Sequence, residues 1–372
     1  METNNNVWGE CRNPLHKGLS PGGSSGGEGA IIAFKASPLG VGTDIGGSVR
    51  IPAGWCHLYG LKPSFGRFPT YGGKSGIPGQ EFILAVSGPM SRSLDSVKLY
   101  CEHVLSEKVS PWNLDHKCLP IPWRSNVLPA GKKLRFGIIG NNDSLVHVHP
   151  PVERAVNMTR TALEAAGHEV IDWPTPDHAE IVKMTLAAFF DLGGSAIVDY
   201  LTPHGEPIFP CMEGYAAAAK GGEANVGPTK MRHMNMQRNA LQKAYLDRWM
   251  ATATVNKGPI DGIICAVSPW AAPRLGQTQK TFYIGYTGVF NLLDFAACTF
   301  PVTFVDQSLD KVRDMKSFRR INDLDGRIQE EYDPAFYHGA PVSLQVVGRR
   351  LEEEKVLEMT GVIASALKAA AK

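Results

Sequence analysis

The sequence predicts an α/β fold with a mixed β-sheet covered by helices on both faces. Three observations carry that expectation. Strand-like and helix-like patterns alternate along most of the chain. Short buried-type runs such as LRFGII, IDGIICAV and VSLQVV are bounded by turn residues. With 372 residues, 43% apolar and 20% charged, the chain can bury a sizeable core as one large domain or two ordinary ones.

The elements follow in order. Residues 21–27 are too glycine-rich for regular structure, whereas 28–35 start a short helix. Residues 39–44 read as a brief strand leading into a turn at 45–48, and 50–56 open a helix. Over 93–105, Leu94, Val97, Cys101 and Val104 recur at helical spacing behind Ser93, a suitable N-cap. Residues 106–133 hold Pro111, Pro120, Pro122 and Pro129 and read as an internal connection between subdomains. An α/β unit comes next: a strand at 134–139, a helix at 152–166, and a return strand at 169–171. Pro150 and Pro151 begin that helix, Gly167 ends it, and Val152, Val156, Thr159, Leu163 and Ala166 share one face. Residues 177–257 read as mainly helical apart from a loop at 202–210, and are expected to cap a substrate pocket. Residues 260–267 and 342–347 are core strands. A closing helix spans 351–370, with Val356, Met359, Ile363, Ala366 and Ala370 inward. The charges at Arg349, Arg350 and residues 352–355 are expected on a solvated face.

Composition narrows the function. A formal charge of +2 argues against nucleic acid or an anionic membrane as partner. The longest apolar candidate, 185–200, is broken by Asp191, Gly193 and Gly194, so no membrane span is expected. The first residues lack an apolar signal core, which makes a cytoplasmic location the default. Cysteines 11, 56, 101, 118, 211, 265 and 298 form no C-x-x-C pair and read as reduced thiols. His57, His147, His149, His204 and His338 show no zinc-ligand spacing, so no metal site is expected. Trp270 reads as core or as a wall of an acyl pocket.

The chemistry concentrates in residues 20–52, SPGGSSGGEGAIIAFKASPLGVGTDIGGSVRIP, where Ser24 and Ser48 each stand in a glycine-rich frame. Flanking glycines leave a hydroxyl unshielded and let main-chain N–H groups crowd a ligand. An acyl-transfer site needs such an exposed nucleophile beside preorganised donors for an oxyanion. Residues 22–26 also satisfy G-x-S-x-G, but the polar, proline-containing residues before them are no strand, so the α/β-hydrolase elbow fails on context. Residues 40–46 lack the third glycine of a dinucleotide loop, and 72–75 lack the first glycine of a Walker motif.

The runs GGSSGGEGA (22–30) and GTDIGGSVRIPA (42–53) resemble the signature of the amidase signature family of serine hydrolases. GLKPSFGR (60–67), GPMSRSLDS (88–96), FNLLDFAACTFPVT (290–303) and YHGAPVSLQVVGRRLEEEKVL (337–357) resemble later family segments, in wording closest to fungal acetamidase-like amidases. The resemblance implies one amidase signature domain over 1–372 and hydrolysis of a small-molecule carboxamide through an acyl-serine. It implies Ser48 as nucleophile, and Ser24, behind a cis Gly23–Ser24 bond, as proton relay lining the substrate site. It also implies main-chain N–H groups of Ile45, Gly46, Gly47 and Ser48 as the oxyanion hole. Ser25, Asp44 and Arg50 would support the loops, no cofactor is needed, and a homodimer is compatible.

One departure accompanies the match. The family's general base is a lysine several dozen residues before the first serine loop, and no residue here occupies that position. Lys17, Lys35, Lys62 and Lys74 lie nearby in segments that do not match it. The chain therefore reads as lacking the family's N-terminal segment. General-base assistance supplies roughly 10²–10⁴-fold in rate, so weak or absent activity is expected. The rival readings are an inactive homologue acting as a binding or scaffold protein, a truncated gene product, and a subunit in making amidated transfer RNA.

Overall fold

The computed structural model describes residues 1–190, 195–221 and 226–371, with the side chains of 190, 195, 211 and 218–221 left aside. Asp191, Gly193 and Gly194, expected to break the apolar run, lie outside the described residues, as does the Cys211 side chain.

The first part of the chain builds the two glycine loops. A small hairpin, β1 (Asn4–Asn5) with β2 (Gly9–Glu10), precedes helix α1 (Gly26–Ala33). Strand β3 (Leu39–Asp44) leads into helix α2 (Arg50–Trp55), then β4 (Tyr59–Lys62), β5 (Val86–Ser91) and helix α3 (Leu94–Val104). Ser93 caps α3 as expected, its hydroxyl accepting the Ser96 N–H.

The second part alternates and then turns helical. Strand β6 (Arg135–Ile138), helix α4 (Pro150–Ala165) and strand β7 (Glu169–Asp172) form the anticipated unit, and Gly167 at φ +81° ends α4. Helices α5 (His178–Phe190), α6 (Ser195–Leu201), α7 (Glu213–Gly221) and α8 (Pro228–Met250) follow. The expected loop at 202–210 holds a 3₁₀ turn at Thr202–His204. The remaining elements are β8 (Gly262–Ala266), α9 (Gln277–Lys280), α10 (Gly285–Leu292), β9 (Ala297–Phe304), α11 (Asp323–Glu330), α12 (Pro334–Tyr337), β10 (Pro341–Val347) and α13 (Glu353–Ala370).

Eight strands join in one sheet in the order β3-β5-β4-β9-β10-β8-β6-β7. β6 runs parallel to β7 and β8, and the other pairs are antiparallel, so the sheet is mixed as expected. Both faces are covered. In β8, Ile264 and Ala266 join the core under α3, α4 and α13, while Ile263 and Cys265 join the core under α5, α8 and α10. That two-sided burial explains the continuous apolar run of this strand. Trp173, Tyr245 and Trp249 fill the second core, where Trp173 Nε1 donates to the Tyr245 hydroxyl and Trp249 Nε1 to the Ile260 carbonyl.

Three expectations for the last helix change. It starts at Glu353 rather than 351, since Leu351 has φ +61°. Ala370 is exposed, not inward. The charge run is not solvated throughout: Glu353 and Glu354 are buried, and Arg67, itself fully buried, pairs with both. Arg124 adds a second cation on Glu354 at 3.1 Å. This network also ties the irregular segment 106–133 to α13.

Candidate active site

The turn after β3 is built around a buried ion pair. Asp44 ends β3 and accepts main-chain N–H groups from Gly47 at 2.8 Å and Val49 at 3.2 Å. Arg50, at the start of α2, forks onto the same carboxylate through Nε and Nη2, each at 3.0 Å. Its remaining donors reach the Thr287 carbonyl, Gln345 Oε1 and Asn291 Oδ1. Asn291 in turn donates to Asp44 at 2.9 Å. Burial raises the Asp44 pKa, but the Arg50 charge and hydrogen bonds, with Lys62 and Asn291, outweigh it and hold the carboxyl well below its usual range. Asp44 and Arg50 thus shape the turn rather than face a ligand.

Gly47 shows why the turn is glycine-rich. Its φ is +130°, and a Cβ there would stand 2.5 Å from Thr287 Oγ1 and 2.7 Å from Ile51 Cδ1. The Thr287 hydroxyl donates to the Gly46 carbonyl at 2.7 Å, fixing the turn from α10. Four N–H groups were expected at the oxyanion position. The Gly47 N–H is committed to Asp44, and Gly47 does not line the cavity. Those of Ile45, Gly46 and Ser48 make no hydrogen bond among the described residues, and all three residues line the cavity.

The first glycine loop lies against this turn. The Gly23–Ser24 peptide bond is cis. The Ser25 N–H donates to the Ser48 carbonyl at 3.3 Å. The Ser25 hydroxyl accepts the Thr43 N–H at 3.2 Å and donates to the Thr43 carbonyl at 3.3 Å, standing in for a neighbouring strand along the outer edge of β3. Thr3, which carried no signal in the sequence, clamps the loop: its hydroxyl donates to the Gly22 carbonyl at 3.0 Å and accepts the Gly26 N–H at 3.1 Å.

Ser24 and Ser48 line one cavity of about 840 Å³. Its walls are largely apolar and include Ile45, Ile83, Phe189 and Ile284. A Cβ on Gly46 would lie 3.0 Å from the Phe189 ring and 3.3 Å from Ile284 Cδ1, so both side chains press on the turn that holds Ser48. Ile197, Met212 and Tyr215, from the helical region, also line the cavity. Of the lysines near the loops in sequence, Lys62 is buried in the sheet and donates to the Pro63 and Phe295 carbonyls, with its pKa lowered to about 8 chiefly by burial. Lys74 lines the outer cavity and is exposed. Trp270 is buried, donates to Glu331, and is not part of the wall.

The mixed eight-stranded sheet thus presents two interlocked glycine loops at one cavity. A family model described as Amidase matches residues 1–357, and the chain belongs to that family. It is 40% identical over 365 residues to an acetamidase of Emericella nidulans, covering 96% of this chain and 64% of the relative. It is 36% identical to an acetamidase of Aspergillus oryzae, covering 98% of this chain and 66% of the relative. The chain thus spans slightly less than two thirds of these relatives. Among solved structures, a fatty acid amide hydrolase superposes with a TM-score of 0.90 at 32% identity, over 98% of this chain and 63% of that one. No helix among the described residues is long and apolar enough to cross a membrane.

Proposed function

We propose that the chain carries the acyl-transfer site of an amidase and that Ser48 forms an acyl-enzyme with an uncharged carboxamide. The observation that carries this reading is the meeting of Ser24, Ser48 and the uncommitted N–H groups of Ile45, Gly46 and Ser48 in one apolar cavity. Ser48 Oγ adds to the amide carbon, and its proton passes to Ser24, which hands its own to a base. The carbonyl oxygen gains the electron pair and sits among the three N–H groups, where one such donor is worth roughly 2.7–4 kcal/mol. Collapse returns a proton to the nitrogen, ammonia or an amine leaves, and water then releases the carboxylate. No step calls on a metal or organic cofactor.

The base is the weak link. Of the lysines near the loops in sequence, Lys62 is pinned to two carbonyls inside the sheet and does not line the cavity. Apart from a base, the oxyanion hole and binding supply on the order of 10³–10⁴-fold over water. The apolar wall of Ile45, Phe189 and Ile284 suits amides with apolar acyl groups. The relatives' names fit a small amide substrate. Labelling by a fluorophosphonate probe, followed by intact-mass analysis of the folded chain and of Ser48→Ala, tests the reading. An adduct that persists in Ser48→Ala contradicts it. A folded chain that takes no adduct favours the binding-protein alternative.

A further inference from the structure

The wall of the cavity continues into a buried acid that the reaction scheme does not use. Asp143 is fully buried in the loop after β6. Its Oδ1 accepts the N–H groups of Leu145 at 3.1 Å and Val146 at 3.0 Å, and its Oδ2 accepts the Tyr283 hydroxyl at 2.5 Å. Tyr283 is the residue between Phe282 and Ile284, both of which line the substrate cavity. Behind that wall lies a second apolar cavity of about 320 Å³, shared by Phe282, Tyr283, Ile284, Leu145 and Val146. The Asp143–Tyr283 bond pins the partition between the two.

The same bond fixes the start of α10. The Tyr283 ring crosses the first turn of that helix so closely that a Cβ on Gly285 would lie 2.1 Å from its hydroxyl oxygen. One turn on, Tyr286 donates to the Val146 carbonyl at 2.7 Å, a second tie to the Asp143 loop. Thr287 then holds the Gly46 carbonyl and offers its own carbonyl to Arg50. A continuous run of buried hydrogen bonds and covalent links therefore joins Asp143 to the turn that carries Ser48. We propose, resting on the function proposed above, that Asp143 and Tyr283 are positioning residues for Ser48, and that protonating Asp143 loosens the α10 start and slows acylation.

The electrostatics agree with the geometry. Burial pushes the Asp143 carboxyl up to about 6, against the pull of the hydrogen bonds from Tyr283, Val146 and Leu145. Tyr283 and Tyr286 face it from the α10 segment, and Cys265 from β8. Burial drives all three of their pKa values upward, which keeps them neutral in this range. Farther along stand Asp325 of α11, paired with His147 on the Asp143 loop, and Arg313 beyond it. Asp325 is raised by burial but lowered more by the His147 and main-chain hydrogen bonds, so it stays ionised. Asp143 and the His147 pair are thus the groups to separate experimentally.

The test is the second-order rate of fluorophosphonate labelling at Ser48 from about pH 5 to about pH 8, on the full 372-residue chain. Wild type is expected to lose rate as pH falls through about 6. Asp143→Asn should label slower at neutral pH, on the order of tenfold, and should lose the acid limb. Tyr283→Phe should slow labelling similarly while remaining folded, and His147→Gln should keep the acid limb. An acid limb unchanged in Asp143→Asn, or lost in His147→Gln instead, overturns the inference. If Asp143→Asn does not fold, wild-type labelling by Tyr283→Phe overturns it equally. Absence of labelling in folded wild type at every pH overturns the proposed function itself, and so is distinguishable from failure of this inference.

Discussion

Asp44 and Arg50 form a two-pronged ion pair in a part of the molecule with no solvent exposure, and every donor of the guanidinium has a partner there. The pair closes the seven-residue stretch 44–50 around Gly46 and Gly47, so it acts as the frame on which the turn carrying Ser48 is bent. Arg50→Met removes the guanidinium and leaves the Asp44 carboxylate buried without its cation. It should lower the unfolding free energy by roughly 3–5 kcal/mol, the cost of breaking a buried pair. Urea unfolding at neutral pH measures this, and a loss below about 1 kcal/mol would mean that the pair is not structural.

Thr287 offers a milder probe of the same turn. Thr287→Val preserves volume and removes the donor on the Gly46 carbonyl. A stability loss of roughly 1–3 kcal/mol is expected from the orphaned buried carbonyl. The labelling rate of Ser48 should fall as well, because the turn loses its hold from α10. Wild-type labelling in a folded Thr287→Val protein would show that the turn is set without that bond.

Acid stability follows from two buried histidines. Burial lowers His149 to about 4, against a hydrogen bond to the Ile328 carbonyl that pulls the other way. Burial lowers His178 to about 3, with Arg248 adding to the shift. An unfolded histidine titrates near 6.5. Between these values the unfolded chain binds protons that the folded one refuses, so stability is full above about pH 6.5 and falls on acidification. By the time the pH reaches its folded value, His149 accounts for on the order of 3 kcal/mol and His178 for on the order of 5 kcal/mol. Urea midpoints taken from about pH 7 down to about pH 4.5 should decline, and less steeply in His178→Gln. An unchanged slope in that variant would assign the acid sensitivity elsewhere.

Much of the fold was legible because its signals are local. Strand β3 and the α/β unit of β6, α4 and β7 emerged from short apolar runs with glycine and proline stops, and the two serine loops from their glycine frames. Strands β4, β5 and β9 escaped: Gly60, Gly88, Pro89 and Pro301 interrupt them, and only sheet pairing makes strands of such sequences. The partners of Asp44 and Arg50 escaped for a related reason. Asn291 and Gln345 stand in segments marked as family-like, but the sheet order that brings them to the turn is not a local property. Glu353 and Glu354 look like surface charges, and the approach of Arg67 from the β4–β5 connection, with Arg124 on Glu354, is what lets them be buried.

That network makes its own forecast. Glu354→Ala leaves the Arg67 guanidinium short of its closest carboxylate oxygen, 2.6 Å away in a site with almost no exposure. A loss of roughly 3–5 kcal/mol is expected, whereas Glu358→Ala on a more open part of the same helix should cost far less. Equal costs in thermal or urea unfolding would return the 352–355 charges to a solvated role.

The measurement that reaches the centre of the account is site-mapped fluorophosphonate labelling of the folded chain. One covalent adduct is predicted, located by peptide mass analysis on Ser48, absent from Ser48→Ala, and formed more slowly in Ser24→Ala. An adduct on another residue, or undiminished labelling of Ser48→Ala, would contradict it.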